Sequence, residues 1–73
     1  MTIKDAFKTG LIGRYTLIRI YDIRSDGYLM DSPVFMMNLP SRFSDMEIYH
    51  IDSEVMDEKS YLCIDTRIEE GHN

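Results

Sequence analysis

Cysteine is nearly absent from this chain of 73 residues, which carries Cys63 alone. A single thiol excludes an intrachain disulfide, and structural zinc sites need several Cys or His ligands at short spacing. An unpaired thiol is typical of proteins in a reducing compartment, so the composition predicts a cytoplasmic protein. Because a chain this short buries only about 60% of its unfolded surface, we expect a binding partner or self-association to add stability.

Long apolar runs are missing as well. No stretch of the sequence comes near the roughly 20 consecutive apolar residues that a membrane-spanning helix needs. The N-terminal segment carries charges at Lys4, Asp5 and Lys8, so it lacks the apolar centre of a signal peptide. We therefore expect no association with a membrane.

The sequence also lacks a catalytic or metal-binding constellation. Its glycines are not followed by the Gly and Lys of a phosphate-binding loop. A calcium loop counted from Asp52 has Asp57 where a glycine is required and Cys63 at its twelfth position, so the pattern fails. A His–Cys nucleophile needs a third, orienting group, and none stands out beside His50. The sequence therefore predicts a non-enzymatic protein with no cofactor and no metal.

The clearest helix signal lies at the N-terminus. Residues 2–5, TIKD, fit the capping box, in which a hydroxyl caps the helix and an acid three residues later bonds back. Ala6 and Phe7 continue the apolar face, and Gly10 supplies a left-handed stop. These signals predict a helix over residues 3–9 that places Phe7 against a sheet.

β-Branched and aromatic residues mark the strands. The first has apolar groups on both faces, which favours a central strand, and Asp26-Gly27 is typical of a tight hairpin turn. Pro33 marks an edge, a bulge or a break. The predicted strands are 14–23, 28–30 with an apolar run that resumes at 34–37, 46–52 and 61–68. Residues 44–47 repeat the capping pattern, so the segment 44–52 could instead be helical, but its β-branched and aromatic residues favour a helical turn at 41–45 followed by the strand. A polar turn is predicted at 57–60 and a polar tail at 69–73.

These elements predict the fold class. The economical arrangement is a single α+β domain over residues 1–73, in which the short N-terminal helix packs on a mostly antiparallel sheet of about four strands.

Charge is distributed unevenly. Residues 1–43 hold six basic and four acidic side chains, whereas residues 44–73 hold two basic and nine acidic ones. The excess of acidic residues in the second segment predicts a negative surface, which either aids solubility or steers the protein toward a basic protein surface. In the second case the acidic residues can take the place of nucleic-acid phosphates on the partner. The candidate partner-binding acids are Asp45, Glu47, Asp52, Glu54, Asp57, Glu58, Glu69 and Glu70.

Two alternatives involve self-association. Phe35, Met36 and Met37 either fill the core or form a hydrophobic docking or dimer patch, in which case the chain is a structural domain that works by homo-oligomerisation. The other alternative is a small nucleotide signal bound between subunits by Arg14, Arg19 or Arg24. Direct binding of nucleic acid is not expected, because the net charge is −5.

Four segments carry a resemblance to a group of proteins. The YTLIRIYDI strand, the SDG turn, the MMNLPSRFSDMEIYHID stretch and the closing YLCIDTRI strand together resemble small acidic proteins of bacteriophages and mobile elements. That group includes inhibitors of bacterial defence, among them anti-CRISPR proteins that mimic DNA. The resemblance implies a phage-type inhibitor whose acidic face covers a nucleic-acid-binding host protein.

Overall fold

The computed structural model describes residues 1–68. It contains one short helix and a mixed sheet of five strands, which confirms the α+β class with one strand more than expected. The helix α1 covers Ile3–Lys8, and the strands are β1 (Leu17–Asp22), β2 (Gly27–Tyr28), β3 (Val34–Phe35), β4 (His50–Met56) and β5 (Lys59–Thr66). Single 3₁₀ turns at Met36–Asn38 and Ser41–Phe43 lie between β3 and β4. The tail predicted at 69–73 lies outside the described residues.

Strand β1 is central, as its two apolar faces predict. The sheet order is β2-β1-β5-β4, and β3 also pairs with β1. Ile18 lies opposite both Val34 and Leu62, so β2 and β3 share one edge of β1 while β5 occupies the other. The β1–β5 pairing is parallel and the remaining pairings between strands are antiparallel.

Helix α1 confirms the capping box. Asp5 N donates to Thr2 Oγ1 at 3.2 Å, and Thr2 N donates to Asp5 Oδ2 at 3.1 Å. Gly10 ends the helical segment with φ +84°, as expected for a left-handed stop. The prediction that Phe7 packs on the sheet is wrong, because Ile3 and Ala6 face inward and Phe7 is 40% exposed. Phe7 stands about 100° around the helix from Ala6, so it falls on the flank.

The core lies between α1 and one face of the sheet. Its members are apolar side chains from the helix, from the two central strands and from the segments that connect them. Ile3, Ile12, Ile18, Ile20 and Ile64 are each at most 1% exposed.

The segment before β4 departs from the expected strand at 46–52. Its first residues pair with the N-terminus, since Ile3 N donates to the Met46 carbonyl at 3.0 Å and Ile48 N donates to the Met1 carbonyl at 2.9 Å. The strand that pairs with β5 therefore begins only at His50.

The first hairpin turn differs from the sequence prediction, whereas the second lies where a polar turn was expected. Asp22 lies opposite Gly27, so the first loop covers residues 23–26 and its left-handed residue is Asp26, at φ 58°. The two-residue turn is found instead at Asp57-Glu58, within the polar turn expected at 57–60. Both of its residues are left-handed, at φ 53° and 66°, as a type I′ turn requires.

The Asp57-Glu58 turn leads to a prediction about stability. The left-handed conformation costs a residue with a Cβ about 1–2 kcal/mol, and glycine avoids this cost. Glycine in turn loses more conformational entropy on folding, which cancels about half of that gain. Glu58→Gly is therefore expected to raise the free energy of unfolding by about 0.5–1 kcal/mol. Urea denaturation measures the difference, and Glu58→Ala is the matched control because it removes the same charge but keeps the strain. Equal stability of the two variants would contradict this account.

A buried carboxylate joins the end of β1 to the end of β5. Asp22 is 1% exposed, and it accepts hydrogen bonds from the backbone N–H groups of Arg24 at 3.3 Å, Ser25 at 3.0 Å and Ile68 at 2.9 Å. Burial raises the pKa of Asp22, but hydrogen bonds from Ser25, Ile68 and Arg24 outweigh burial and lower the pKa to about 2. Thr66 completes the junction by donating its hydroxyl to the Tyr21 carbonyl at 3.0 Å.

Candidate protein-binding surface

Side-chain alternation divides the sheet into two faces. One face carries Ile18, Ile20 and Ile64 and is covered by the core. The opposite face, which we call the open face, carries charged residues and tyrosines from four strands. Its polar members are Arg19, Tyr21, Tyr28, His50, Asp52, Glu54, Lys59, Tyr61, Cys63 and Asp65.

Glu54 is held in place on the open face by two tyrosines. Tyr61 lies directly opposite Glu54 in the β4–β5 register, and Tyr28 approaches from β2. Each hydroxyl donates to Glu54 Oε1 at 2.7 Å. The hydrogen bonds from Tyr61 and Tyr28 keep the pKa of Glu54 below its ordinary value despite burial. Glu54 is therefore a fixed negative charge in a fixed position.

Arg19 links the tyrosines around Glu54 to the chain segment between β2 and β3. Its guanidinium lies 3.7 Å from the centroid of the Tyr28 ring. The side chain donates to the carbonyl of Met30 at 3.1 Å and to that of Asp31 at 2.9 Å. The excess of acidic residues indicated Glu54 as a binding residue, but no sequence signal indicated Tyr28 and Tyr61, which hold it. The strand order that brings Arg19, Tyr28 and Glu54 together cannot be read from alternation alone.

Cys63 lies beneath the carboxylates of the open face. The thiol is 3% exposed, and its Sγ lies 3.7 Å from Asp65 Oδ1. Burial, together with the nearby charges of Glu54 and Asp65, raises the pKa of Cys63 to about 11, so the group is a protonated thiol at neutral pH. His50 is engaged with Asp52 at 3.1 Å rather than with the thiol.

The structure gathers four of the predicted partner-binding acids on one hairpin. Asp52 and Glu54 lie on β4, and Asp57 and Glu58 form the turn into β5. We call these four residues the acidic hairpin. Asp52, Asp57 and Glu58 are exposed, whereas Glu54 is half-buried. Lys59 directly follows the turn, so the hairpin carries four carboxylates against one lysine and its charge is predominantly negative.

The other predicted acids are not part of this hairpin. Asp45 pairs with Lys4 at 3.6 Å, and Glu47 pairs with the N-terminal amine of Met1 at 3.0 Å. Both precede β4, whose seven residues span about 20 Å, so they lie far from the Asp57-Glu58 turn. Glu69 and Glu70 lie outside the described residues.

The predicted apolar patch is divided by the fold. Met36 is 7% exposed and belongs to the core, so it is not part of a surface patch. Phe35 and Met37 are exposed, and Tyr15 packs edge-on against Phe35 with ring centroids 6.2 Å apart. Strand β3 has only two residues, which makes it a short edge for pairing with another chain.

The three arginines proposed for a nucleotide signal are dispersed. Arg19 is engaged on the open face, and Arg24 donates to the Ile68 carbonyl at 3.4 Å. Arg14 precedes β1 and Arg24 follows it, so the length of that strand separates them. Within one protomer they do not form a common basic site.

Among residues 1–68, no group of three or more His, Cys, Asp or Glu side chains is arranged to hold a metal ion. The same residues contain no helix of the length and hydrophobicity needed to cross a membrane. Comparison with protein-family models, with curated proteins and with solved structures found no match to the chain.

Proposed function

We propose that this chain is a non-enzymatic protein-binding module whose acidic hairpin occupies a basic, nucleic-acid-binding surface of a partner protein. The observation that carries the proposal is the concentration of four carboxylates along β4 and its turn, with Lys59 as the basic residue among them. In the setting that the resemblance implies, the partner is a defence protein in the bacterial cytoplasm and the chain is its inhibitor.

The geometry of the hairpin supports this function in two ways. Glu54 is oriented by Tyr28 and Tyr61, so part of the negative surface is organised before binding and loses little conformational freedom on association. Asp57 and Glu58 project at the end of the sheet, where a partner can approach them. Preorganised charges of one sign favour a complementary surface and accelerate encounter.

Electrostatic recognition of this kind depends on salt. At an ionic strength of about 0.15 M the Debye length is about 8 Å, and it falls to about 3 Å at 1 M. We expect binding to be strong at low salt and to weaken steadily as salt rises. Duplex DNA is expected to compete, since it offers phosphates to the same basic surface.

Charge reversal tests the proposal. The variant Asp52→Lys/Asp57→Lys/Glu58→Lys leaves Glu54 and its tyrosines intact. The control variant Asp26→Lys/Asp45→Lys/Glu47→Lys changes the net charge equally, away from the hairpin, since Asp26 lies in the loop at the opposite end of β1. Both proteins and the native chain are immobilised and exposed to the fraction of a bacterial lysate that binds heparin, which is enriched in nucleic-acid-binding proteins.

We expect the native chain and the control to retain a discrete protein that duplex DNA elutes. The hairpin variant is expected to retain it at least about tenfold less well. Equal retention by the two variants, elution that DNA does not promote, or no retained protein would each refute the proposed function.

A further inference from the structure

We propose that the outer edge of β4 binds an extended segment of the partner as an additional strand of the sheet, and that this segment alternates Lys or Arg with apolar residues. The inference deepens the proposed function and rests on it for the charge of the partner. It adds the mode of binding, which is backbone pairing along β4.

Strand β4 is the last strand of the sheet on its side. It pairs with β5 along one edge, and the register runs without interruption from His50 opposite Asp65 to Met56 opposite Lys59. The bridge between Thr2 and Glu47 lies before the strand begins, so within residues 1–68 nothing pairs with the outer edge. Every second residue of this edge therefore presents an unpaired N–H and C=O.

The edge lacks most of the features that protect sheet edges from pairing. Such features include very short strands, bulges, proline and lysine. Strand β4 has seven residues, HIDSEVM, with neither proline nor lysine, and the left-handed residues Asp57 and Glu58 lie beyond its end. Its acidic side chains are those of Asp52 and Glu54.

The two sides of the edge differ in chemistry. Asp52 and Glu54 project on the open face, whereas Ile51 and Val55 project on the opposite side. Val55 is 70% exposed, so a large part of its side chain is free to be covered. An added strand would place alternate residues beside the carboxylates and the others beside Ile51 and Val55. This requires a segment that is basic on one face and apolar on the other.

A second copy of the chain fits this edge poorly. Full-length antiparallel pairing of two β4 strands would centre on Ser53 and place Asp52 opposite Glu54 of the second copy, twice. Like charges directly opposite each other destabilise a sheet, whereas a basic strand converts the same positions into favourable pairs. The carboxylates thus select against self-pairing and in favour of a basic segment.

The test uses the acetylated and amidated peptide KVKVKVK as the probe. Amide hydrogen exchange is followed by NMR for the native protein, with and without the peptide. Two further peptides of identical charge carry N-methyl groups on the lysine amides or on the valine amides. In an extended peptide the lysine N–H groups point to one edge and the valine N–H groups to the other. If the peptide adds as a strand, one of these two groups of amides pairs with β4, and N-methylation of that group removes the pairing.

We expect alternate amides of β4 to exchange at least tenfold more slowly with the unmodified peptide, and one N-methylated peptide to lose this effect while the other keeps it. Asp52→Asn is expected to weaken binding severalfold, and Asp26→Asn is the matched control, because exposed Asp26 lies in the loop beyond the far end of β1.

Equal binding of all three peptides would overturn strand addition and leave the proposed function standing. Failure of the unmodified peptide to protect β4 would overturn it too. The proposed function has its own readout, which is the retention from the lysate fraction of a protein that duplex DNA elutes. Absence of such a protein would refute that function independently of the peptide experiment.

Discussion

Ile20→Ala is expected to lower the free energy of unfolding by about 2–5 kcal/mol, the range for truncating a fully buried aliphatic side chain. Ile20 is 0% exposed at the centre of β1, in the core formed with Ile3 and Ile64. A domain of this length has a total stability of about 4–11 kcal/mol. The substitution therefore removes a large fraction of the total, and a measurable population of the variant is expected to be unfolded at 37 °C.

Urea denaturation followed by circular dichroism measures this effect. Val55→Ala is the matched control, because Val55 is 70% exposed and its truncation is expected to change stability by about 0.5 kcal/mol or less. If both substitutions had the same effect, the assignment of Ile20 to the core would be wrong.

Asp22→Ala is expected to lower the melting temperature by about 10 °C or more, because it leaves backbone N–H groups at the junction of β1 and β5 without their acceptor. The carboxylate accepts from Ser25 within its own loop and from Ile68 beyond the end of β5. Its removal therefore weakens both the first hairpin and the parallel pairing. Asp31→Ala is the control, since that exposed side chain takes no part in the junction. Equal melting temperatures for the two variants would contradict this role.

The same carboxylate predicts a pH dependence with a defined sign. The pKa of Asp22 is lowered in the folded chain to about 2, from an ordinary value of 3.8. Its contribution to stability is therefore complete above about pH 4 and is lost as the pH falls toward 2. The difference in melting temperature between the native chain and Asp22→Asn should be constant from pH 7 to 5 and should shrink from pH 4 to 2. A difference that does not change over that range would show that the charge of Asp22 is not responsible.

Local signals were sufficient for several elements of this fold. The capping box at Thr2 and Asp5 and the stop at Gly10 each act within a few residues, so they can be identified without the tertiary structure. The apolar groups on both faces of the first predicted strand marked β1 as central, and Ile18 and Ile20 are buried on one of these faces. These features depend on the periodicity of a helix or a strand, which the sequence contains directly.

The turns show where local signals mislead. Asp26-Gly27 has the composition of a tight turn, but the register of β1 with β2 moves the loop to residues 23–26. Asp57-Glu58 lacks glycine and still adopts the left-handed conformation, because pairing along β4 and β5 leaves only two residues to connect them. Register is a property of two strands together, so neither strand specifies it alone.

The candidate site was only partly accessible to sequence reasoning. Composition identified the acids of the C-terminal half, but it could not separate the acidic hairpin from Asp45 and Glu47. These two carboxylates form ion pairs with Lys4 and with the N-terminal amine. It also did not find the two tyrosines that hold Glu54. Tyr28 and Tyr61 are 33 positions apart in the chain.

By itself the sequence determined the class of fold, the helix and its cap, the apolar faces of the strands and the excess of acid in the second half. The tertiary structure alone decided the parallel pairing of β1 with β5, the open edge of β4 and the burial of Asp22. The physical reason is the range of the interactions. Caps and alternation act over neighbouring residues, whereas strand order depends on which distant segments bury the most apolar surface together.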